Sequence, residues 1–132
     1  MKVMLDTDVC IDLIRDRPPS LLERVTAHAV GDIGISVITL AELEYGVNRS
    51  SRPAKNRDAL DLFVSPLDVA PFQRQATAAY GRLRAALERK GQSIGSMDLL
   101  IAAHAVSLDI RLITHNVREF RRVPGLRVED WT

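Results

Sequence analysis

The sequence predicts an α/β sandwich with a mainly parallel central sheet. Three observations carry that expectation. Short apolar runs alternate with stretches of helical periodicity from one end of the chain to the other. No internal repeat, low-complexity segment or linker interrupts the alternation, so residues 1–132 read as one domain. Polar residues able to bind or react follow three of the runs, at the strand ends where open α/β sheets gather their sites.

Val3 to Leu5 form the first run, a buried strand that stops at Asp6. Thr7 or Asp8 is placed to cap a helix through Val9, Ile11, Leu13 and Ile14. Arg17-Pro18-Pro19-Ser20 interrupts it. Leu21, Leu22, Val25 and Ala29 then recur at helical spacing, and Gly31 closes that helix. Ile33 to Ile38 are a second β-rich run. Thr39 follows, with Glu42 three residues on, the spacing of a capping box at the head of a helix that carries Leu40, Leu43 and Val47. Ser50 to Pro53 form a turn, and residues 54–64 are again helical. Leu67 to Val69 read as a third strand. Pro71 suits the first turn of a helix. Phe72, Ala76, Tyr80, Leu83 and Leu87 recur at steps of three and four, an amphipathic stripe that Gly91 ends. After a flexible loop, Ser96 caps a strongly apolar helix that runs to Leu108. Arg111 to Ile113 and Leu126 to Val128 supply the fourth and fifth strands.

Composition narrows the functional classes. Hydrophobic residues make up 46% of the chain and charged residues 27%, as in an ordinary globular protein. The 18 basic and 17 acidic residues leave a net charge of +1, so a nucleic-acid site has to be a local patch. Three basic groups offer one: Arg49, Arg52, Lys55 and Arg57; Arg82, Arg84, Arg89 and Lys90; and Arg118, Arg121 and Arg122. The first and third are the better placed to track a phosphate backbone. Cys10 is the sole cysteine and reads as a buried structural thiol, which excludes an internal disulfide. The N-terminus meets an acid within six residues, unlike a signal peptide, and no apolar run reaches the ~18–20 residues of a membrane span. A soluble cytoplasmic protein is expected.

The residues fit for chemistry are acids. Asp6 ends the first strand, poised over the crevice at the sheet edge. An aspartate there often caps the next helix, but Asp8 is the better candidate for that role. Glu42 lies near the positive end of its helix, where capping or dipole complementation is the competing explanation. Glu44 points to another face and reads as solvated. Asp98 opens a helix that is apolar on nearly all sides, so its carboxylate should be buried at an edge and in need of a partner or a metal. Asn116 follows the fourth strand with an oxygen that can coordinate a metal or its water. Thr114 and Glu119 are possible accessories. No one of these positions is specific; their pattern is. Acids crowded at the same ends of several elements repel one another unless a cation binds, and Mg²⁺ or Mn²⁺ suits an all-oxygen site. Histidine and cysteine spacings suggest no zinc, and no glycine loop cradles phosphate. His104 reads as structural, and His115, beside the proposed site, as a possible substrate contact.

The segments MLDTDVCIDLI, ISVITLAELEYGV and IGSMDLLIAAHAVSLDIRLITHNVREFRRVPGLRVEDW, in that order, resemble the PIN-domain ribonucleases, and within them the VapC-type toxins of bacterial toxin–antitoxin pairs. The resemblance spans essentially the whole chain, residues 52–75 carrying no family signature. It implies a sheet of about five parallel strands in the order 3-2-1-4-5, flanked by helices. It also implies that Asp6 and Asp98 ligate Mg²⁺ directly and that Glu42 completes the acidic pocket, through water or as a general base. Relatives usually carry a fourth acid after the fourth strand. Asn116 stands there in this chain, with Glu119 nearby, which keeps an oxygen ligand, removes one negative charge and leaves one or two metals open. The implied reaction is hydrolysis of an RNA phosphodiester by metal-activated water, on tRNA or another structured RNA. A cognate antitoxin would cover the groove, and a homodimer would form through apolar helices early in the chain.

Two other readings compete. Asp6-Thr7-Asp8-Val9 after a strand also resembles the nucleophile motif of haloacid dehalogenase-type phosphatases. That chemistry needs a downstream lysine and paired acids, and Asp98 has no adjacent acid. Asp8 would be essential to a phosphatase and dispensable to a nuclease. A catalytically weak RNA- or partner-binding domain is the non-enzymatic alternative, suggested by Asn116.

Overall fold

In the computed structural model, which describes residues 1–132, five parallel strands form one sheet in the order β3-β2-β1-β4-β5. They are β1 (Val3–Leu5), β2 (Ile33–Ser36), β3 (Asp68–Ala70), β4 (Arg111–Ile113) and β5 (Val128–Glu129). β1 is central, with Val3 opposite Ile33 on one side and Arg111 on the other. Seven helices complete the chain: α1 (Thr7–Arg15), α2 (Pro19–Thr26), α3 (Val37–Arg49), α4 (Pro53–Val64), α5 (Arg74–Arg89), α6 (Ser96–Leu108) and α7 (Val117–Phe120).

Strand side chains alternate between faces, and that alternation sorts the interior into two cores. Val3, Leu5, Ile33 and Ile35 point to the face where Cys10, Leu13, Leu21, Leu43 and Leu60 pack from α1 to α4. Met4 and Leu112 point to the other face, against Leu83, Leu87, Leu99 and Ile101 of α5 and α6. Each strand residue of β1 is fully buried, worth about 1.5–3 kcal/mol per large side chain removed from water. Gly34 is needed for close approach: a Cβ there would strike the Asp68 carbonyl on β3 and the Met1 side chain.

Several boundaries differ from expectation, each for a local reason. β2 ends at Ser36, whose hydroxyl accepts the Ile38 N–H at 3.0 Å and caps α3. Thr39 and Glu42 therefore lie inside the helix and form no capping box. Asp6, not Thr7 or Asp8, caps α1. α2 stops at Thr26, whose hydroxyl turns back to the Leu22 carbonyl, and Gly31 (φ 92°) turns the chain into β2. Pro71 lies outside the helix and α5 begins at Arg74, after an extended Gln73; Gly95 precedes α6, which takes Ser96 as its first residue. β5 begins at Val128 rather than Leu126.

The carboxyl ends of β1, β2 and β4 all open on one edge of the sheet, and α6 starts there too. No helix is long and apolar enough to cross a membrane.

Candidate active site

Asp6 leaves β1 in extended geometry and turns into α1, and both oxygens of its carboxylate are held. Oδ1 accepts the Thr7 N–H at 2.8 Å, and Oδ2 accepts the Thr114 hydroxyl at 2.7 Å. Capping and site formation are thus one arrangement rather than rival roles. The side chain is only 3% exposed. Burial raises its pKa from 3.8 to about 6; the two hydrogen bonds oppose that rise, and the charges of Asp8 and Glu42 add to it.

Glu42 is reached from α1. The Thr7 hydroxyl donates to Glu42 Oε1 at 2.6 Å and lies 3.2 Å from the Thr39 hydroxyl. Thr7 therefore ties the two acid-bearing elements together. That role was not legible from sequence, because 35 residues separate the partners and the bond depends on how α1 and α3 pack. Asp98, the third residue of α6, is partly exposed, and its pKa is raised to about 7. Burial is the main cause, followed by the charges of Asp6, Glu119, Glu42 and Asp8. Thr114 also accepts the Asn116 N–H at 3.0 Å, and the Asn116 side-chain amide donates to Glu119. All six candidate residues, Asp6, Glu42, Asp98, Thr114, Asn116 and Glu119, therefore lie at one edge of the sheet, joined by hydrogen bonds or by mutual repulsion.

Other expectations change. His115 has two acidic neighbours outside the candidate set: Nε2 lies 2.6 Å from Asp12 and Nδ1 3.5 Å from Asp130. Glu44 is not simply solvated but pairs with Arg57 through both oxygens. That pairing, with Asp61 as a second partner, takes Arg57 out of the basic group near residue 52. Cys10 is buried, and burial holds its thiol well above the ordinary value, as a structural cysteine requires. Asp8 is exposed at the first turn of α1.

None of the ion pairs in the molecule includes Asp6, Asp8, Glu42, Asp98 or Glu119. The protein thus gathers carboxylates and supplies no side-chain cation. No three of them lie at metal-ligating spacing. The donors are all oxygens, and two of the acids hold protons more tightly than free carboxylates do. That donor set fits a hard divalent cation better than zinc or copper.

Fold and site together define an α/β protein with an acidic crevice at the carboxyl edge of a parallel sheet. The chain belongs to the PIN-domain family, whose sequence pattern matches residues 3–126. Ribonuclease VapC2 of Rickettsia felis is 43% identical over 132 residues, covering 99% of this chain and 98% of the relative. The tRNA(fMet)-specific endonuclease VapC of Shigella flexneri is 42% identical, covering 100% and 99%. The crystal structure of DNA-bound VapBC from Salmonella typhimurium superposes with a TM-score of 0.96 at 42% identity, covering 100% of this chain and 99% of that one. PIN-domain nucleases generally use divalent metal ions.

Proposed function

We propose that this chain is the toxin of a type II toxin–antitoxin pair and an endoribonuclease dependent on Mg²⁺, with Mn²⁺ as a substitute. The observation that carries the reading is the set of acids at the carboxyl edge of the sheet with no cationic partner, on a chain whose full-length relatives are ribonucleases. Asp6 and Asp98 are the direct metal ligands in this reading. Glu42 completes the pocket, through water or as the base that accepts a proton from the attacking water. Asn116 offers a neutral oxygen donor, and Thr114 and Glu119 orient Asp6 and Asn116. When bound, the divalent cation supplies charge for the phosphate and acidifies water near neutral pH. Thr114 and the Thr7 N–H fix the Asp6 carboxylate, and the Thr7 hydroxyl fixes Glu42, so the two acids would hold the ion and water with little reorganisation.

The substrate proposed is tRNA, the class named for the Shigella relative. Arg118, Arg121 and Arg122, which follow Asn116 in the chain, are the phosphate-tracking group. Cytoplasmic placement follows from such a substrate. The partner proposed is a cognate antitoxin. A groove of about 400 Å³ between α1, α3 and α4 is lined by Ile11, Ile14, Leu43, Val47 and Leu60, and Glu42 also lines it. An apolar segment seated there reaches the acidic site, so docking and inhibition share one surface. Exposed Tyr45 and Leu62 on α3 and α4 are apolar surface for self-association into a homodimer.

The test is incubation of purified, antitoxin-free protein with total bacterial RNA in Mg²⁺, in Mn²⁺ and in EDTA, with Asp98→Ala as control. Discrete cleavage that needs both the metal and Asp98 is expected, and end-mapping identifies the target. Folded protein that cleaves nothing under any metal condition refutes the reading.

A further inference from the structure

His104 lies on α6, six residues beyond Asp98, which places it about 9 Å further along the helix axis. It is 1% exposed, and its Nδ1 is 2.7 Å from the hydroxyl of Ser36, which is fully buried. Ser36 Oγ already accepts the Ile38 N–H. A neutral ring can take the Ser36 proton at Nδ1, and its buried Nε2 has no hydrogen-bond partner of its own. Burial favours that neutral ring. The edge of Phe72 packs on the imidazole at 5.2 Å.

This bond ties α6 to β2, whereas Ser107 bonds within the helix; the imidazole also meets the Pro71 backbone, just beyond β3. The remaining buried surface of α6 is Leu99, Ile101 and alanines at 102, 103 and 105. Contacts of that kind are non-directional, and short alanine side chains resist sliding and rotation weakly. A buried hydrogen bond has a narrow range of length and angle, so it fixes a register that apolar packing leaves soft. Ser36 sits where β2 becomes α3, the helix that carries Glu42.

We infer that His104 is a positioning residue for the acidic site: its bond to Ser36 sets the register of α6 against β2 and α3, and with it the placement of Asp98 relative to Asp6 and Glu42. The inference rests on the proposal that these acids hold a divalent cation. It predicts that losing the bond weakens metal binding even where the fold survives. Two substitutions separate register from packing. His104→Leu fills the volume and removes the bond. His104→Asn keeps a polar atom at the Nδ1 position and leaves a void where the rest of the ring was.

The measurement is Mn²⁺ affinity of the purified chain by electron paramagnetic resonance, alongside the melting temperature. Leu is expected to melt near the unsubstituted protein and bind Mn²⁺ about tenfold more weakly, as loss of supporting contacts around metal ligands does. Asn is expected to melt lower and bind more tightly than Leu. His104→Gln, whose amide reaches past Ser36, is the second loss variant and should match Leu in affinity. Affinities that follow the melting temperatures, with Asn the weakest, overturn the inference and leave His104 a packing residue. Undiminished binding by both Leu and Gln overturns it as well. An unsubstituted protein that binds no Mn²⁺ sinks the metal reading itself, and the inference with it.

Discussion

Metal binding at the acidic crevice is expected to release protons, by an amount that the site itself sets. In the metal-free protein Asp98 titrates at about 7 and Asp6 at about 6. A cation that takes both as ionised ligands must displace whatever protons they carry. At pH 7 Asp98 is about half protonated and Asp6 about one-tenth, so binding should release about 0.6 proton. At pH 6 the release rises to about 1.4 protons, and at pH 8 it falls to about 0.1. Affinity therefore strengthens with pH, steeply between 6 and 7 and hardly at all above 8. Isothermal titration with Mg²⁺ or Mn²⁺, at each pH in two buffers of different ionisation enthalpy, reads the proton count directly. Release that does not change between pH 6 and 8, or proton uptake at any of them, would refute the claim that these two raised carboxylates are the ligands.

Other outcomes follow from the same geometry. In the folded state the Asp6 pKa is raised, so its ionised form costs stability that is absent below about pH 4 and fully felt above about pH 7. Asp6→Asn keeps the helix cap and should stabilise the metal-free protein by about 1–3 kcal/mol at pH 8. That gain should fade toward pH 4 in urea melts run with EDTA, and a variant destabilised equally at both would contradict the account. Thr7→Val removes the hydroxyl that holds Glu42. We expect RNA cleavage to slow about tenfold through kcat, with RNA affinity measured in EDTA unchanged. Asn116→Asp adds a charge beside Glu119 and replaces the donor in their contact. Mn²⁺ should bind more tightly at pH 8, and titration should show whether a second ion is taken up; unchanged affinity would place residue 116 outside the ion's reach.

Much of the candidate site is legible in the sequence. Asp6, Glu42 and Asp98 stood out because each follows a strand or opens an apolar helix, and such positions converge at one sheet edge in a parallel α/β fold. Membership of the PIN family, the sheet order and the α/β architecture agree with what the sequence motifs implied. What failed was finer. Thr39 looked like a cap because it follows a β-rich run, yet Ser36 captures the Ile38 N–H three residues earlier and shortens the strand. The partners of His115 were equally out of sight: its ring reaches Asp12 on α1 and Asp130 near the C-terminus, and only the folded chain brings those two together.

Local pattern by itself determined the elements and the two-sided sheet, and it singled out the candidate acids. Alternation and helical periodicity act between near neighbours and are written in sequence spacing. Tertiary structure decided which hydroxyl serves which side chain: Thr114 and Thr7 for the acids Asp6 and Glu42, and Ser36 for the imidazole of His104. Those pairs span 108, 35 and 68 residues. It also decided the raised pKa values, because burial and the summed field of several carboxylates exist only once distant segments share one crevice.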